Sequence, residues 1–586
     1  MSELLAIPDD LSDLSAHLES VNGYLKKCDN VAPAFALRML IAALEACGHD
    51  LTSTHFWQEL EPWKFRYLVR GEGRSRAGLD GVFGIDLGTT YSAVAHIDDL
   101  NQVEIIKNLS GEDTTPSVVY FESGAAIVGA EAKSCLVTDP DNGCALIKRH
   151  MGTVFPQEFD GQTYTPESIS GLILKELVHA ANQEGESKVT KAVITVPAYF
   201  GVREKEATKQ AGEMAGLEVV GILAEPVAAL LSVGIPEERE TVLIYDLGGG
   251  TFDTTVMIAE PGNVEVVAVD GNRVLGGADW DAALARVVID KFVAQAGIAD
   301  VDPADDPDFM VEILQDVESK KKLLTRKQDI TFRCRFEGHD EKILVTRDEF
   351  AVATAHLVQQ TVGITRRVID FAKCKSPGLV IDKLLLAGGS SRMPMVAEAL
   401  RAAGFDPIPT DFDLAAAKGA AIYGRVVLSG AGKLERGSRA GTSTNTGVAD
   451  ILGPSAATLS VKNVLLRNIG VEFVREVVAG GLVRYANFVV HAGQSLPLED
   501  TFEVVSNSHQ NKLRVRVYER SDGSRFGNFD LDLVLKDVEV NEMSIPCGCA
   551  IQLRVIISVT GLATIAVQQG HEVAFSLQTR VGADAT

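Results

Sequence analysis

Asp246-Leu247-Gly248-Gly249-Gly250-Thr251-Phe252-Asp253 follows the apolar run Thr241-Val242-Leu243-Ile244-Tyr245 and precedes a second strand-like run, Thr254-Thr255-Val256-Met257-Ile258. Three consecutive glycines let a backbone turn tightly and bring its N–H groups up to an anion with no Cβ in the way. The carboxylates at either end are suited to a magnesium ion or its water shell, because hard cations at phosphate sites keep few protein ligands and several waters. The chemistry indicated is the holding of a nucleotide's phosphates at the tip of a β-hairpin.

Gly84-Ile85-Asp86-Leu87-Gly88-Thr89-Thr90-Tyr91, followed by Ser92-Ala93-Val94-Ala95, repeats the order strand, Asp-Leu-Gly, hydroxyl, strand. Two such hairpins about 160 residues apart suggest an internal duplication, with one phosphate loop from each half closing on a shared ligand. Either copy alone is no more than a glycine turn; the pair is what argues for a site.

The elements that must position these loops come from a long chain. Its 586 residues leave room for about three or four domains. With 46% hydrophobic and 23% charged residues the composition is that of ordinary globular domains rather than disorder. A formal charge of -25 and the lack of a long basic block argue against nucleic acid as a partner. No apolar run reaches the roughly 18 residues a membrane helix needs, and the start carries no signal-like segment. The eight cysteines form no C-x-x-C pair, and Cys547 and Cys549 lack two further ligands for a metal, so reduced cytosolic thiols and a cytoplasmic location are expected.

Residues 1–80 read as a small helical module, with Leu11, Leu14, Leu18, Val21 and Leu25 at helical spacing and a glycine-rich linker at 71–78. It carries no chemistry, and it offers a surface for another protein or for self-association. From 82 to 428, strand-like runs alternate with helical ones, an α/β pattern. Helices are expected at 172–181, 205–215 and 309–326, and a buried strand at 192–196. Lys320-Lys321-Lys322 within the last helix reads, by itself, as a solvated face. Leu384-Leu385-Leu386-Ala387 enters another glycine loop, Gly388-Gly389-Ser390-Ser391. Residues 429–460 read as a flexible linker. From 461 to 582 the pattern turns all-β: Leu513, Val515 and Val517, then Phe529, Leu531 and Leu533, then Ile551, Leu553, Val555 and Ile557 alternate with polar residues, as in an antiparallel sandwich.

Taken together and in order, these stretches resemble the seventy-kilodalton heat-shock chaperones, the DnaK-like family, over roughly residues 82–580. The resemblance rests on the two glycine hairpins and on Ile147-Lys148-Arg149, Val193-Ile194-Thr195-Val196-Pro197-Ala198-Tyr199-Phe200, Glu225-Pro226, Leu275-Gly276-Gly277-Ala278-Asp279-Trp280-Asp281 and Gly388-Gly389-Ser390-Ser391-Arg392-Met393-Pro394. It implies a two-lobed, duplicated actin-like ATPase domain with ATP or ADP and Mg2+ in its cleft, followed by a peptide-binding β-sandwich.

By the same resemblance Asp86 and Asp246 organise magnesium through its waters, with Asp253 nearby. Lys148 sits by the γ-phosphate and positions the attacking water, Glu225 assists it as a polarising carboxylate, and Thr251 joins the catalytic set. Gly88, Thr89, Thr90, Tyr91, Gly248, Gly249, Gly250, Gly276 and Gly277 belong to the phosphate-binding surface. Glu318, Lys321, Lys322 and Thr325 hold adenine and ribose, which replaces the solvated-face reading, and Gly388, Gly389, Ser391 and Arg392 complete the adenosine pocket. Phosphoryl transfer needs positioning and charge neutralisation more than covalent help, so a lysine, a magnesium ion and backbone donors suffice.

The chain departs from the family's usual residues at Gly201 (Asn), Val227 (Thr) and Ala278 (Glu). Its interdomain linker has only Thr458-Leu459-Ser460-Val461 or Val464-Leu465-Leu466 as counterparts, and no helical lid is expected after the sandwich. The function expected is that of an ATP-hydrolysing chaperone of the stress response, whose partners are unfolded or extended apolar peptide segments, a co-chaperone and a nucleotide-exchange factor. The rival reading is a nucleotide-dependent sensor with slow hydrolysis and one dedicated partner. A sugar kinase or filament protein on the same fold leaves the C-terminal strands unexplained.

Overall fold

A computed structural model describes residues 81–98, 102–184, 189–298, 301–428 and 459–462, together with the strands and some adjoining residues between 467 and 580. The expected helical module at 1–80 and nearly all of the expected linker lie outside the described residues.

The first sheet is built from the antiparallel run β1 (Val82–Asp86), β2 (Tyr91–Ile97) and β3 (Val103–Ile106), joined by the parallel strands β4 (Lys191–Val196) and β5 (Glu218–Ala224). Helix α1 (Ala130–Thr138) follows β3, α2 (Val202–Met214) lies between β4 and β5, and α3 (Glu225–Val233) starts where β5 ends. Along the main path the strand order is β3-β2-β1-β4-β5. β1 and β4 are buried along nearly their whole length, as strands covered on both faces must be.

The second sheet repeats that plan. The strands β6 (Glu240–Leu247), β7 (Phe252–Glu260) and β8 (Asn263–Asn272) run antiparallel, and after α4 (Gly277–Ala296) and α5 (Pro307–Leu324) come the parallel strands β9 (Lys383–Ala387) and β10 (Pro407–Phe412). The order β8-β7-β6-β9-β10 matches the first sheet strand for strand. Both glycine loops therefore occupy the same place, the turn between the first two strands of a sheet. Tyr245, Phe252, Trp280 and Phe292 are buried in the core of this second lobe. Each large apolar side chain so buried contributes about 1.5–3 kcal/mol.

The lobes share a base. The last helix of the second lobe, α6 (Ala415–Leu428), packs on β1 and α3 of the first. Small residues make this possible: a Cβ on Gly84 would lie 2.1 Å from the Ala421 nitrogen, and one on Gly419 would lie 1.8 Å from the Ala228 carbonyl oxygen.

Ser460–Lys462 forms β11, which pairs in parallel with β8 at the edge of the second sheet. The expected division at 460/461 thus falls inside a strand of the ATPase domain. Leu459 and Val461 alternate around Ser460 and are buried with Met257, Val264 and Val266, so an otherwise open edge is closed by apolar contact. The other linker candidate, 464–466, lies outside the described residues.

Beyond it are two antiparallel sheets. One has the spatial order Phe526–Gly527, Gly481–Val490, Asn468–Val477, Gln510–Arg520, Leu533–Ile545; the other runs Leu498–Val505, Ala550–Ile557, Ala563–Gln569, Ser576–Arg580. The alternation expected at 551–557 is seen directly, with Ile551, Leu553, Val555 and Ile557 buried. Phe529 and Leu531 lie outside the described residues.

Candidate active site

The two glycine turns meet tip to tip. A Cβ on Gly249 would lie 2.1 Å from Thr90 Oγ1 and one on Gly250 would lie 2.6 Å from Thr89 Cγ2, so only glycine lets the second loop approach the first this closely. Each turn is internally closed: Gly88 N–H donates to Ser92 Oγ at 3.1 Å, and Gly248 N–H donates to the Thr251 carbonyl at 3.0 Å. Arg149 of the first lobe donates to the Gly250 carbonyl through Nε at 3.0 Å and Nη2 at 2.5 Å, gripping the opposite loop.

Lys148 enters from a short 3-10 turn, Ile147–His150, preceded by Leu146 at φ 58. A left-handed leucine is an uncommon, strained choice, and here it turns the chain so that the lysine faces the cleft. Lys148 Nζ donates to Glu225 Oε1 at 2.5 Å, and the lysine is 4% exposed. Glu225 is held by the first turn of α3.

Around this pair stand Asp86, Asp246 and Asp253. Burial, followed by the charge of Glu225, pushes the Asp86 carboxyl up to about 6, although Lys148 and the Thr195 hydroxyl, donating at 2.6 Å, oppose the shift. Burial and then Glu225 also raise Asp246 and Asp253 well above the usual carboxylate range. Asp253 Oδ1 is buried without a hydrogen-bond partner. Four carboxylates facing one ammonium form a donor set with excess negative charge, which a divalent cation would neutralise. Among the described residues no three acidic, histidine or cysteine side chains converge closely enough to ligate a metal directly, which fits an ion held through its waters.

The cleft is a cavity of about 1210 Å³, at or above the upper end of small-molecule sites and ample for a nucleoside triphosphate. At its outer end α5 presents Glu318, Lys321, Lys322 and Thr325 on one face, three or four residues apart. Lys321 Nζ donates to the Gly277 carbonyl at 2.7 Å and pairs with Asp281 at 2.9 Å. Glu318 is shared between Lys322 of its own helix, at 2.7 Å, and Lys133 of α1 in the other lobe, and it accepts from the Tyr91 hydroxyl at 2.9 Å. Burial acts to raise the Glu318 carboxyl, but Lys133 and Lys322 outweigh it and bring it down to about 2. Opposite, Arg392 pairs with Asp413 at 2.9 Å and lies over the Phe412 ring. Gly388, at φ 75, brings its backbone against Asp246 and Leu247.

The protein-family description "Hsp70 protein" matches residues 82–160 and 154–436. The chain belongs to the Hsp70 family. Membership implies the actin-like ATPase fold, in keeping with the repeated sheet order. Hsp70 proteins are chaperone-like ATPases that bind ATP or ADP with Mg2+, and as a family they bind peptide substrates and co-chaperones.

Most residues proposed for the Hsp70 site line the cavity: Asp86, Gly88, Thr89, Thr90, Tyr91, Lys148, Glu225, Asp246, Gly248, Gly249, Thr251, Gly277, Glu318, Lys321, Lys322, Thr325, Gly388, Gly389 and Arg392. Gly250, Asp253, Gly276 and Ser391 stand behind its wall. Ser391 is a structural pin, donating to the Ala387 carbonyl at 2.5 Å and accepting from Leu247 N–H at 3.3 Å. A Cβ on Gly276 would lie 2.5–2.6 Å from Gly250 backbone atoms, so this glycine seats α4 against the loop. The N–H groups of Gly277 and Ala278 are committed to the carbonyls of Gly248 and Gly249, at 3.0 and 2.8 Å, and so stabilise the loop rather than offering themselves to an anion. The Tyr91 hydroxyl likewise goes to Glu318. Sequence reasoning missed Arg149, Thr195 and Asp413. The first two lay inside quoted motifs, but nothing in the local sequence of Asp413 signals its bond to Arg392.

Proposed function

We propose that this Hsp70 protein hydrolyses ATP in the cleft between its duplicated sheets and couples the cycle to the gripping and release of extended apolar peptide segments on its C-terminal sheets. The observation that carries the reading is the buried Lys148–Glu225 pair set among Asp86, Asp246 and Asp253. Asp86 and Asp246 would hold magnesium through waters. The ion would neutralise charge on the phosphates being separated. Lys148, kept dry and oriented by Glu225, directs its remaining N–H donors at a terminal phosphoryl oxygen or the attacking water, and Glu225 tightens that geometry as charge develops. Thr89, Thr90 and Thr251 offer hydroxyls beside the same loops. Peptide binding is supported by family membership and by two antiparallel sheets with edge strands able to accept an added strand. The cytoplasm is proposed as its location, in keeping with the free thiols of Cys135, Cys144, Cys334, Cys374 and Cys549.

The test is single-turnover hydrolysis of ATP by the full chain with magnesium, with and without an extended apolar peptide. Turnover whose rate responds to peptide is the expected result. ATP that binds without being hydrolysed, with no response to peptide, would favour a nucleotide-dependent sensor.

A further inference from the structure

One buried ionic cluster away from the cleft joins three parts of the chain. Glu204, in the first turn of α2, pairs with Arg273, the residue just after β8 in the second lobe. It also receives Arg467, which immediately precedes the strand Asn468–Val477, at 2.9 Å. Arg467 reaches on to Glu519 of the same C-terminal sheet at 3.2 Å. The Glu519 side chain is fully buried, and its carboxylate accepts from Val202 N–H at 3.3 Å. Gly201 makes the seat: a Cβ there would lie 2.4 Å from Glu519 Oε1 and 2.7 Å from Oε2. The glycine that departs from the family's usual asparagine is thus a socket for a carboxylate of the C-terminal sheet. Lys205 is buried beside it, held down to about 8 by burial.

The cluster also faces the hydrolytic site. The Arg273 guanidinium lies 5.0 Å from the centroid of the Tyr199 ring. That ring packs at Gly271, and Gly271 is the cross-strand partner of Asp253; a Cβ on Gly271 would lie 3.3 Å from Tyr199 and 2.8 Å from Asp253 Oδ1. A continuous path of contact therefore runs from the C-terminal sheet through Glu204, Arg273 and Tyr199 to Asp253.

A buried ion pair returns little net stability, because the desolvation of both partners offsets their attraction. If the sheet leaves, Arg467 and Glu519 leave together and regain water, while Glu204 is left with Arg273 alone. Glu204 thus has two discrete arrangements, shared between two guanidinium groups or held by one. We propose that Glu204 and Arg273 are positioning residues for ATP hydrolysis, and that Arg467 and Glu519 of the C-terminal sheet set their arrangement. This rests on the hydrolysis reading above.

The experiment measures ATP affinity and single-turnover rate for the full chain and for Arg273→Ala, Arg273→Lys, Arg467→Ala and the double variant Arg273→Ala/Arg467→Ala. Arg273→Ala should slow turnover about tenfold while ATP affinity stays within about twofold, and Arg273→Lys should recover part of the loss. Arg467→Ala should slow turnover about fivefold in the natural background and have no further effect in the Arg273→Ala background, because the two act in series. Gly201→Ala touches only the Glu519 carboxylate and should reproduce Arg467→Ala should that variant fold poorly. Rates unchanged by all of these, or an Arg467→Ala effect of equal size in both backgrounds, would overturn the proposal and leave the ATPase intact. No turnover by the natural chain would overturn the hydrolysis reading and this inference with it.

Discussion

Lys148 and Glu225 come from different elements of the first lobe, yet Lys148 Nζ lies 2.5 Å from Glu225 Oε1 with both side chains nearly out of water. Placing the only ammonium of the hydrolytic cluster on that carboxylate fixes its direction before any nucleotide arrives. Replacing Lys148 by alanine removes a donor that matters most as charge develops in the transition state. The single-turnover rate should fall on the order of 10²-fold or more, with ATP affinity changed only a few-fold. Lys148→Ala also strands a buried carboxylate, so Lys148→Ala/Glu225→Ala should lose less stability than the sum of its parts. Rapid-quench kinetics and denaturant unfolding of the four chains measure both effects; equal rates for Lys148→Ala and the natural chain would remove Lys148 from the chemistry.

At the cleft mouth, Glu318 of α5 binds Lys133 of α1 across the lobes, while the Tyr91 ring lies beneath Lys133 and Lys322. This arrangement must open for nucleotide to leave. Glu318→Ala should speed ADP release about fivefold, the size expected of partly exposed ion pairs. The pH dependence has a definite sign. Glu318 sits below its ordinary value, so its contribution is present above that value and is lost only as pH falls through about 2. Lys133 and Lys322 are raised, so theirs persists up to their ordinary value and is lost only as pH rises through the raised one. ADP release should therefore be flat from about pH 5 to about pH 9 and faster at high salt, where exposed pairs are screened. Stopped-flow release of a fluorescent ADP analogue decides it; strong pH dependence in that window would assign the gate to other groups.

The duplication was legible because each glycine loop is short and contiguous: Asp86 to Tyr91 and Asp246 to Asp253 carry their own turn chemistry. Helices such as α2 and α5 showed as periodic apolar residues between strands. Less visible were contacts between residues far apart in sequence. Lys321 lies in what reads as a solvated run, yet it is buried because Asp281 and the Gly277 carbonyl, from another helix, neutralise it. Gly201 read only as a missing asparagine; its reason, Glu519, lies more than three hundred residues away. The division at 460/461 misled because low periodicity marks the approach to β11 but not the three-residue strand itself, which exists only by pairing with β8.

The joint between the lobes sets a limit on the first glycine of the first hairpin. A Cβ on Gly84 would fall 2.1 Å from the Ala421 nitrogen and 2.3 Å from the Ala417 carbonyl oxygen, and backbone atoms of a packed helix cannot swing aside. Gly84→Ala should cost about 3 kcal/mol as α6 is pushed off β1. The loss should appear as a lower denaturant midpoint, while Gly161→Ala, where nothing lies within 4 Å but φ is +72, should cost only about 1 kcal/mol from the left-handed backbone. Comparable midpoints for the two variants would mean that α6 does not pack this tightly.

The strand β11 connects the ATPase domain to the C-terminal sheets, and its hold depends on Leu459 and Val461, 6% and 8% exposed, against Met257, Val264 and Val266. Val461→Asp would bury a charge in that apolar seat, so the strand should leave the edge of β8 rather than carry the carboxylate inside. Nothing in the cleft touches Val461, so ATP binding and basal turnover should stay within about twofold of the natural chain. Peptide acceleration of turnover should disappear, because the segment that joins the two regions has lost its fixed register. Hydrogen exchange should show weaker amide protection along β8, whose outer edge loses its partner. Persisting peptide acceleration together with lost protection would show that coupling runs through the Arg467 and Glu519 contacts alone.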